Sequence, residues 1–346
     1  MKLRVSVGMN LAGCGFQLSD ATLGVMAENK RDKRLGSLKV YSAGKPPSQP
    51  IRSDGLRDVQ GPLFGGVAGI KLSKPSLTIV PGFELRATYA KIFAPYMMAF
   101  RRPGPGAEYG EPWRAARGGI SIEISIEAFL EDRVRPTGLN RLNTLWWLLA
   151  LIRLRTGANA RMPVISNMEF RDVVLSKVEP SLLTIEMSPH QIQTVQNPPS
   201  EISSEDLDWI CQNFVSGSTL LEAQNFYRSI LTFDNAVWAQ NSGSAILMIW
   251  AAMECLFRPG RQGITKALSS LLASYLHPPG SGRDREFRNV YDLYNARGAA
   301  VHDAKHPEID ELRNSFLIAR RVLIQCIERR ELPNNQVLRR KWEEKA

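Results

Sequence analysis

Two residues in the last quarter of the chain, Arg297 and His302, have the chemistry needed to cleave RNA without a metal ion. An arginine stays charged at any working pH and binds phosphate through two parallel N–H groups. A histidine titrates near neutrality and can accept or donate a proton. If one group removes the proton from a ribose 2′-OH and cationic donors stabilise the attacked phosphate, the products are a 2′,3′-cyclic phosphate and a 5′-hydroxyl. DNA lacks the 2′-OH and would be spared.

The spacing of these two residues constrains how they could meet. Five residues along an α-helix rotate the side-chain direction by about 500°, so the two side chains point about 140° apart. Convergence therefore requires a break in the helix, for which Gly298 and Asp303 are candidates, or a second copy of the motif from another subunit. The chemistry predicts a symmetric dimer with a composite site on the two-fold axis. Taken alone, the spacing has a simpler interpretation, which is a surface arginine and a histidine near a helix cap.

The segments around this pair resemble a known family. Its pattern is a small residue and Glu-x-Leu-Phe in one helix, then a Thr- and Leu-rich helix, then Tyr-x-x-Arg-x-x-x-Val-His. The matching segments occur in this order, at 253–257, 264–273 and 294–302. On these residues the C-terminal region resembles the HEPN superfamily and, within it, the Apea-like HEPN domains of bacterial anti-phage (abortive infection) proteins.

The resemblance implies a metal-independent endoribonuclease that acts as a homodimer, with no cofactor and no metal ion. It implies that Arg297 and His302 are catalytic and that Glu254 is the buried acid that orients them. Glu254 lies in an otherwise apolar helix, so a structural ion pair with an arginine of a neighbouring helix is an equal interpretation. Tyr294 and Asp303 flank the motif as supporting residues, and Tyr294 has the alternative role of a packed aromatic with a bonded hydroxyl.

The sequence departs from the family pattern at two positions. Many active members carry Asn, Asp or His directly after the arginine, whereas this chain has Gly298, and Asn295 before the arginine is a candidate substitute. Asp303 stands where many relatives have glycine. Because some members only bind nucleic acid or dimerise, the alternative function is a non-catalytic dimerisation and RNA-binding module with a nucleic-acid- or nucleotide-sensing N-terminal domain.

Three arginines precede the motif by two to four helical turns, namely Arg283, Arg285 and Arg288. They are predicted to line an RNA groove, with a solvated helix face as the alternative. The remaining histidines, His190, His277 and His306, are interpreted as incidental.

The first 190 residues are predicted to be an α+β domain with a mostly antiparallel sheet and one long helix. Strand signals recur in segments such as SLTIV, GISIEISIEAF and SLLTIEM. In the clearest of them, residues 120–129, the isoleucines share a buried face while Ser121, Glu123, Ser125 and Glu127 share a wet face. The helix is predicted over 140–155, with Gly157 just past its end.

A polar linker is predicted at 191–203, followed by an all-α HEPN-like bundle at 204–333 and a tail at 334–346, of which RRKWEEKA at 339–346 is expected to be frayed. Ser203 begins a capping box with Asp206 in its third position. The predicted helices lie at about 204–214, 218–240, 243–257, 262–276, 284–299 and 308–331.

Charge and hydropathy restrict the partners. Residues 1–200 contain 26 Lys and Arg against 16 Asp and Glu, whereas residues 201–346 contain 18 of each, so the whole excess lies in the first part. This asymmetry favours an anionic partner such as nucleic acid, with solubility as the alternative.

No apolar run reaches the roughly 18 residues of a membrane span, and no secretory signal pattern is apparent, so a cytoplasmic protein is expected. The expected partners are RNA, a second copy of the chain and a phage-derived or antitoxin partner.

Overall fold

The structure, a computed structural model, describes residues 61–93, 96–100, 105, 113–117, 121–135, 137–173, 175–178, 180–186, 192, 194–302 and 307–344. They all belong to one compact unit of the chain, Lys45–Ala346. The strand signals, basic residues and cysteine of the first 60 residues lie outside the described residues, as do His190, Asp303, His306 and the side chain of His302.

The fold is α+β, as the sequence predicts. The described strands are β1 Leu63–Ala68, β2 Lys71–Leu72, β3 Ser76–Val80, β4 Phe83–Phe93, β5 Tyr96–Phe100, β6 Trp113–Arg117, β7 Ser121–Leu130, β8 Arg161–Ser166, β9 Leu182–Thr184 and β10 Glu201–Ile202. Six of them form an antiparallel sheet in the order β3-β4-β7-β1-β8-β9. Strands β5 and β6 pair as a separate hairpin, and β10 pairs parallel to β2.

The central strand β7 follows the predicted alternation with one exception. Its isoleucines from Ile122 to Ile126 are buried, and Ser121 and Glu123 are exposed. The prediction of a wet face is wrong for Glu127, which is only 3% exposed. A second, smaller apolar cluster that includes Phe170 covers this face of the sheet, and the backbone N–H of Phe170 donates to Glu127 Oε2 at 2.8 Å. The strand is therefore covered on both faces at this position.

The helices within the described part of the chain are α1 Arg141–Thr156, α2 Ser204–Ser218, α3 Gln224–Ala236, α4 Ser242–Phe257, α5 Ile264–Leu276, α6 Ser281–His302, α7 Ile309–Arg329 and α8 Asn335–Glu343. The predicted helix start is confirmed, because Ser203 caps α2 and its hydroxyl accepts from the backbone N–H of Asp206. The Asp206 side chain accepts from the Ser203 hydroxyl, so the reciprocal bond of a capping box is replaced by a side-chain contact. Gly157 ends α1 with a φ of 70°. None of these helices combines the length and the apolar character that a bilayer span requires.

Helix α1 links the sheet to the helical region. Almost all its residues are buried, including both tryptophans, and it contacts β7 as well as α2, α3 and α7. A helix that is apolar on all sides lies inside a core. Accordingly, one continuous apolar cluster extends from the sheet through α1 to the last long helix. The domain boundary at 191–203 stays a prediction, although Ile202 within it is fully buried.

The tail is the clearest error of the sequence analysis in this region. Residues of this tail, including part of the segment expected to be frayed, form α8, which Asn334 caps and in which Leu338 is 4% exposed. Trp342 stacks on Phe287 with ring centroids 4.9 Å apart. This short helix is ordered because tertiary contacts bury one side of it, which its polar composition does not reveal.

Candidate active site

Three of the predicted site residues meet between α4 and α6. Arg297 NH2 lies 3.2 Å from Glu254 Oε1, and the hydroxyl of Tyr294 donates to the same oxygen at 2.7 Å. The guanidinium carbon of Arg297 also lies 5.2 Å from the centroid of the Tyr294 ring. We call Glu254, Tyr294 and Arg297 the acid–arginine cluster. Its members come from helices that are 40 residues apart in the chain, and the structure confirms that an arginine of a neighbouring helix pairs with Glu254.

The surroundings of the cluster fix its geometry. Tyr294 packs edge-on against the fully buried Trp250, with ring centroids 5.4 Å apart. Burial, together with the hydrogen bond to Glu254, raises the pKa of the Tyr294 hydroxyl, so the tyrosine stays protonated and donates. The side chains of Glu254 and Arg297 remain 29% and 25% exposed. A ligand at the surface can therefore reach the arginine, while the carboxylate and the ring restrict its orientation.

Arg297 and position 302 do not converge within one chain. The helix α6 is continuous from Ser281 to His302, so the break predicted as an option at Gly298 is absent. Along this helix the two positions are separated by about 7.5 Å of rise and about 140° of rotation. The other candidate for a break, Asp303, lies outside the described residues.

The remaining predicted residues of α6 lie on different faces. Arg285, Arg288 and Asn295 are exposed. Asn295 lies about 200° from Arg297 around the helix axis, so it is not next to the acid–arginine cluster. It shares a face with positions 288 and 302, each seven residues or about two turns away. The structure does not bring Asn295 to the arginine that it was predicted to support.

Arg283 does not belong to an RNA groove. It is 5% exposed and donates to the backbone carbonyls of Lys341 and Glu344, at the C-terminal end of α8. Its guanidinium carbon lies 5.2 Å from the ring centroid of Trp342. A cation at a helix C-terminus stabilises the unpaired carbonyls there, so the role of Arg283 is structural and the prediction of RNA contact is corrected.

Gly298 leaves open space in the helix. A Cβ atom at this position would meet no other atom within 4 Å. The side chains that many active family members carry after the arginine would therefore fit without a backbone clash. Gly298 therefore differs from the family pattern, and the packing around it does not require a glycine.

A second polar cluster, which the sequence analysis missed, joins α5, α6 and α7. His277 Nε2 lies 2.9 Å from Glu286 Oε2, and Arg321 NH1 lies 3.2 Å from the same oxygen. Arg321 NH2 is also 3.2 Å from His277 Nε2. Because one nitrogen cannot donate and accept at once, we assign the Nε2 proton to the bond with Glu286. Nothing in the sequence indicates this contact, since 35 residues separate Glu286 from Arg321.

The described residues contain no group of three or more His, Cys, Asp or Glu side chains that could hold a metal ion. Comparisons of the chain with protein-family models, with curated proteins and with solved structures found no match.

Proposed function

We propose that this chain is a metal-independent endoribonuclease of the HEPN type that acts as a homodimer. The observation that carries the proposal is the ion pair between Arg297 and Glu254, with Tyr294 donating to the same carboxylate. This is the arrangement that the resemblance implies for a catalytic arginine and its orienting acid. A charged arginine held in one direction stabilises developing charge without reorganisation during the reaction.

In the proposed reaction the imidazole of His302 removes the proton from a ribose 2′-OH. The 2′-oxygen attacks the adjacent phosphorus, the bond to the 5′-oxygen breaks, and the leaving 5′-oxygen takes a proton from water, while the proton on the His302 imidazolium returns to solvent. Arg297 stabilises the additional negative charge on the phosphate oxygens. The products are an RNA end with a 2′,3′-cyclic phosphate and an RNA end with a 5′-hydroxyl.

The continuity of α6 supports a dimeric site. Since about 140° separates the two positions on one helix, an arginine and a histidine that share one phosphate come most simply from two chains. An isologous two-fold contact would create two such composite sites.

Cleavage of labelled RNA in the presence of EDTA tests the activity. Wild-type protein should cleave, and Arg297→Ala and His302→Ala should each lose cleavage while keeping their fold. Arg261→Ala, which removes an exposed arginine outside the cluster, serves as the matched control. Cleavage that survives both substitutions would show that these residues are not the catalytic ones.

Mixing the two inactive variants tests the composite site. In a heterodimer of Arg297→Ala with His302→Ala, one site loses both groups and the other regains both. Mixing after partial unfolding and refolding should therefore restore up to half of the wild-type activity per heterodimer. No recovery, with heterodimers demonstrably formed, would exclude a site shared between chains.

The second candidate function is a non-catalytic dimerisation and RNA-binding module with a nucleotide- or nucleic-acid-sensing N-terminal region. It is favoured by Gly298, which stands where many active members of the resembled family carry Asn, Asp or His. Binding of RNA without cleavage, equal in wild type and His302→Ala, would support this function instead.

The proposed setting is anti-phage defence in the cytoplasm, where RNA cleavage stops an infected cell. This setting rests on the family resemblance, as does a phage-derived or antitoxin partner. Protection of cells against phage by the wild type and not by His302→Ala is the expected result. Copurification of the tagged chain from infected and uninfected cells tests the partner.

A further inference from the structure

A pocket on the sheet, distant in sequence from the proposed active site, contains an unusual set of charges. It has a volume of about 400 Å³ and is lined by Arg86, Ala87, Thr88, Glu127, Glu169 and Arg171. We call it the sheet pocket. The pocket forms where β4 contains an irregularity: Thr88 and Tyr89 lie between the paired residues Ala87 and Ala90, opposite a single residue of β7. Such bulges redirect side chains and are frequent beside binding sites.

The two arginines of the sheet pocket are already engaged by carboxylates. Arg86 donates from Nε to Glu84 Oε2 at 3.0 Å and from NH1 to Glu169 Oε1 at 3.1 Å. Arg171 NH2 contacts the other oxygen of Glu169 at 2.5 Å. Glu169 therefore bridges both guanidinium groups, and neither arginine is left without a counter-charge.

Glu127 is the carboxylate of the sheet pocket that neither arginine hydrogen-bonds. It is 3% exposed, and its Oε2 accepts the backbone N–H of Phe170. Its Oε1 accepts no hydrogen bond among the described residues, and its ion pair with Arg86 NH1, at 3.8 Å, is longer than a hydrogen bond. Four carboxylates, those of Glu84, Glu127 and Glu169 and that of Asp172, which lies 4.0 Å from Arg171, thus surround two guanidinium groups. A carboxylate in excess over the neighbouring cations is stabilised when a further cation or donor completes it.

The geometry of Glu127 discriminates between ligands. An anion would meet two carboxylates and arginines that are already paired. A guanidinium binds best in a fork that needs both oxygens of one carboxylate, and Phe170 occupies one of them. An ammonium is a compact point charge that requires one strong acceptor at a time, and Glu127 Oε1 is the carboxylate oxygen that neither arginine hydrogen-bonds, while Thr88 also lines the pocket.

We propose that the sheet pocket binds a primary aliphatic ammonium group, with Glu127 Oε1 as its main acceptor. The ligand is either the side chain of a lysine in a protein partner or a free diamine, since both present the same group on an apolar chain. This site is separate from the RNA chemistry proposed above, and it can be tested without RNA.

Calorimetric titration of the full chain distinguishes the sources. The probes are cadaverine, for a free diamine, and Nα-acetyl-lysine amide, for a lysine side chain; Nε-acetylation of the second probe removes its charge without removing its chain. We expect saturable binding of at least one amine and none of the acetylated probe. Equal binding of the acetylated probe, binding of inorganic phosphate in place of the amines, or no binding of either amine would overturn the proposal.

Variants locate the site. Glu127→Gln keeps the shape and the bond from Phe170 but removes the charge, and it should weaken amine binding by about ten- to hundredfold. Glu123→Gln, on an exposed position of the same strand, should leave binding unchanged. A folded Glu127→Gln variant that binds the amine as tightly as wild type would place the site elsewhere.

The pH dependence provides an independent measurement. Burial raises the pKa of Glu127, the nearby Glu169 raises it further, and Arg86, Arg171 and the N–H of Phe170 lower it. The remaining charged groups of the cluster are Glu84, paired with Arg86, and Asp172, which lies 4.0 Å from Arg171. Because an ammonium binds the ionised form, affinity in the wild type should rise as the pH rises through the raised pKa. Affinity that does not change with pH in this range would contradict the role of Glu127.

Discussion

Individual residues illustrate how burial decides the role of a charged side chain. Glu254 had two interpretations from the sequence, a structural ion pair and an orienting acid, and the structure shows the ion pair with Arg297. The ion pair is compatible with the proposed orienting role, because the contact that neutralises the carboxylate also restricts the guanidinium. For Arg283 the structure instead replaces the predicted role. The sequence suggested a nucleic-acid contact, but Arg283 is buried and donates to the carbonyl groups at the C-terminal end of α8.

Removing the hydroxyl of Tyr294 should weaken both stability and the proposed activity. Tyr294→Phe deletes the donor to Glu254 and should lower the free energy of unfolding by about 1 kcal/mol. If Glu254 orients Arg297, RNA cleavage should also fall, mainly in kcat. Urea unfolding and single-turnover cleavage measure the two effects. Tyr291→Phe, at an exposed position of the same helix, is the control, and equal losses in both variants would contradict a specific role.

Replacing Arg283 should destabilise the protein without a specific effect on RNA. Arg283→Gln loses two donors to the end of α8 and should cost about 1–3 kcal/mol of unfolding free energy. Arg285→Gln, at an exposed position two residues away, should stay within about 0.5 kcal/mol of wild type. Chemical denaturation measures both values. A fully stable Arg283→Gln variant with weakened RNA binding would restore the original prediction.

The raised pKa of Glu127 predicts the direction of a pH effect on stability. Between its ordinary pKa and the raised value, the folded chain keeps a proton that the unfolded chain has lost, so unfolding becomes easier as the pH rises. The difference in unfolding free energy between wild type and Glu127→Gln isolates this contribution. As the pH rises, the unfolding free energy of the wild type should fall relative to that of Glu127→Gln. A rise relative to the variant would contradict the raised pKa of Glu127.

Among the secondary-structure elements, α6 contains most residues of the proposed active site and is a single uninterrupted helix of 22 residues. Its inward face holds the buried Glu286, Val290, Leu293 and Tyr294, whereas Arg288 and Asn295 face solvent. The motif residues are therefore divided between faces. The helical period separates positions 297 and 302 by about 140°. A proposed site that combines the arginine and the histidine therefore requires a second chain.

Substitution of Gly298 tests whether the helix continuity depends on this residue. Gly298→Ala should stabilise the protein by about 0.5–1 kcal/mol, because alanine loses less backbone entropy and its Cβ meets no atom within 4 Å. Gly280→Ala has equal space but requires a φ of 137°, so it should destabilise. Thermal unfolding compares the two. A destabilised Gly298→Ala would indicate that the glycine has a backbone role that the helix does not show.

At the scale of the molecule, a buried polar network connects the two regions. Arg153 of α1 donates to both oxygens of Asp234 of α3, at 2.7 and 2.6 Å, and to Glu186 at 3.1 Å. Asp234 also accepts from the indole of Trp146 at 3.0 Å. Together with the shared apolar core, this network favours unfolding of the sheet and the helices as one cooperative unit.

Breaking the network should be among the most damaging single changes. Asp234→Asn leaves the guanidinium of Arg153 buried with half of its charge compensation and should cost about 3–5 kcal/mol. Glu205→Gln, which removes an 86% exposed partner of Arg155 while Asp206 still pairs with that arginine, should cost about 1 kcal/mol or less. Unfolding followed by tryptophan fluorescence and by circular dichroism should give coincident transitions in the wild type. Two separate transitions would show that sheet and helices are independent units.

Some features were predictable because they depend on neighbours in sequence. The period-two pattern of 120–129 predicted a half-buried strand, Ser203 with Asp206 predicted a helix start, and Gly157 predicted a helix end. These signals act within one turn or one strand. Ion pairs between distant helices have no such signal, so the contact of Glu254 with an arginine was predictable only as an alternative.

The amino-acid sequence was sufficient for the α+β class, for most helix positions and for the strands at 76–80, 121–130 and 182–184, because these follow from local periodicity. The folded chain was needed to show that Glu127 and Arg283 are buried, that α8 is ordered, that His277 contacts Glu286 and that Arg297 is the partner of Glu254. In each case a segment that is remote in sequence packs on the residue and covers a face that would otherwise be exposed to solvent. Burial is a property of what packs on a residue, and a residue's own neighbours do not encode it.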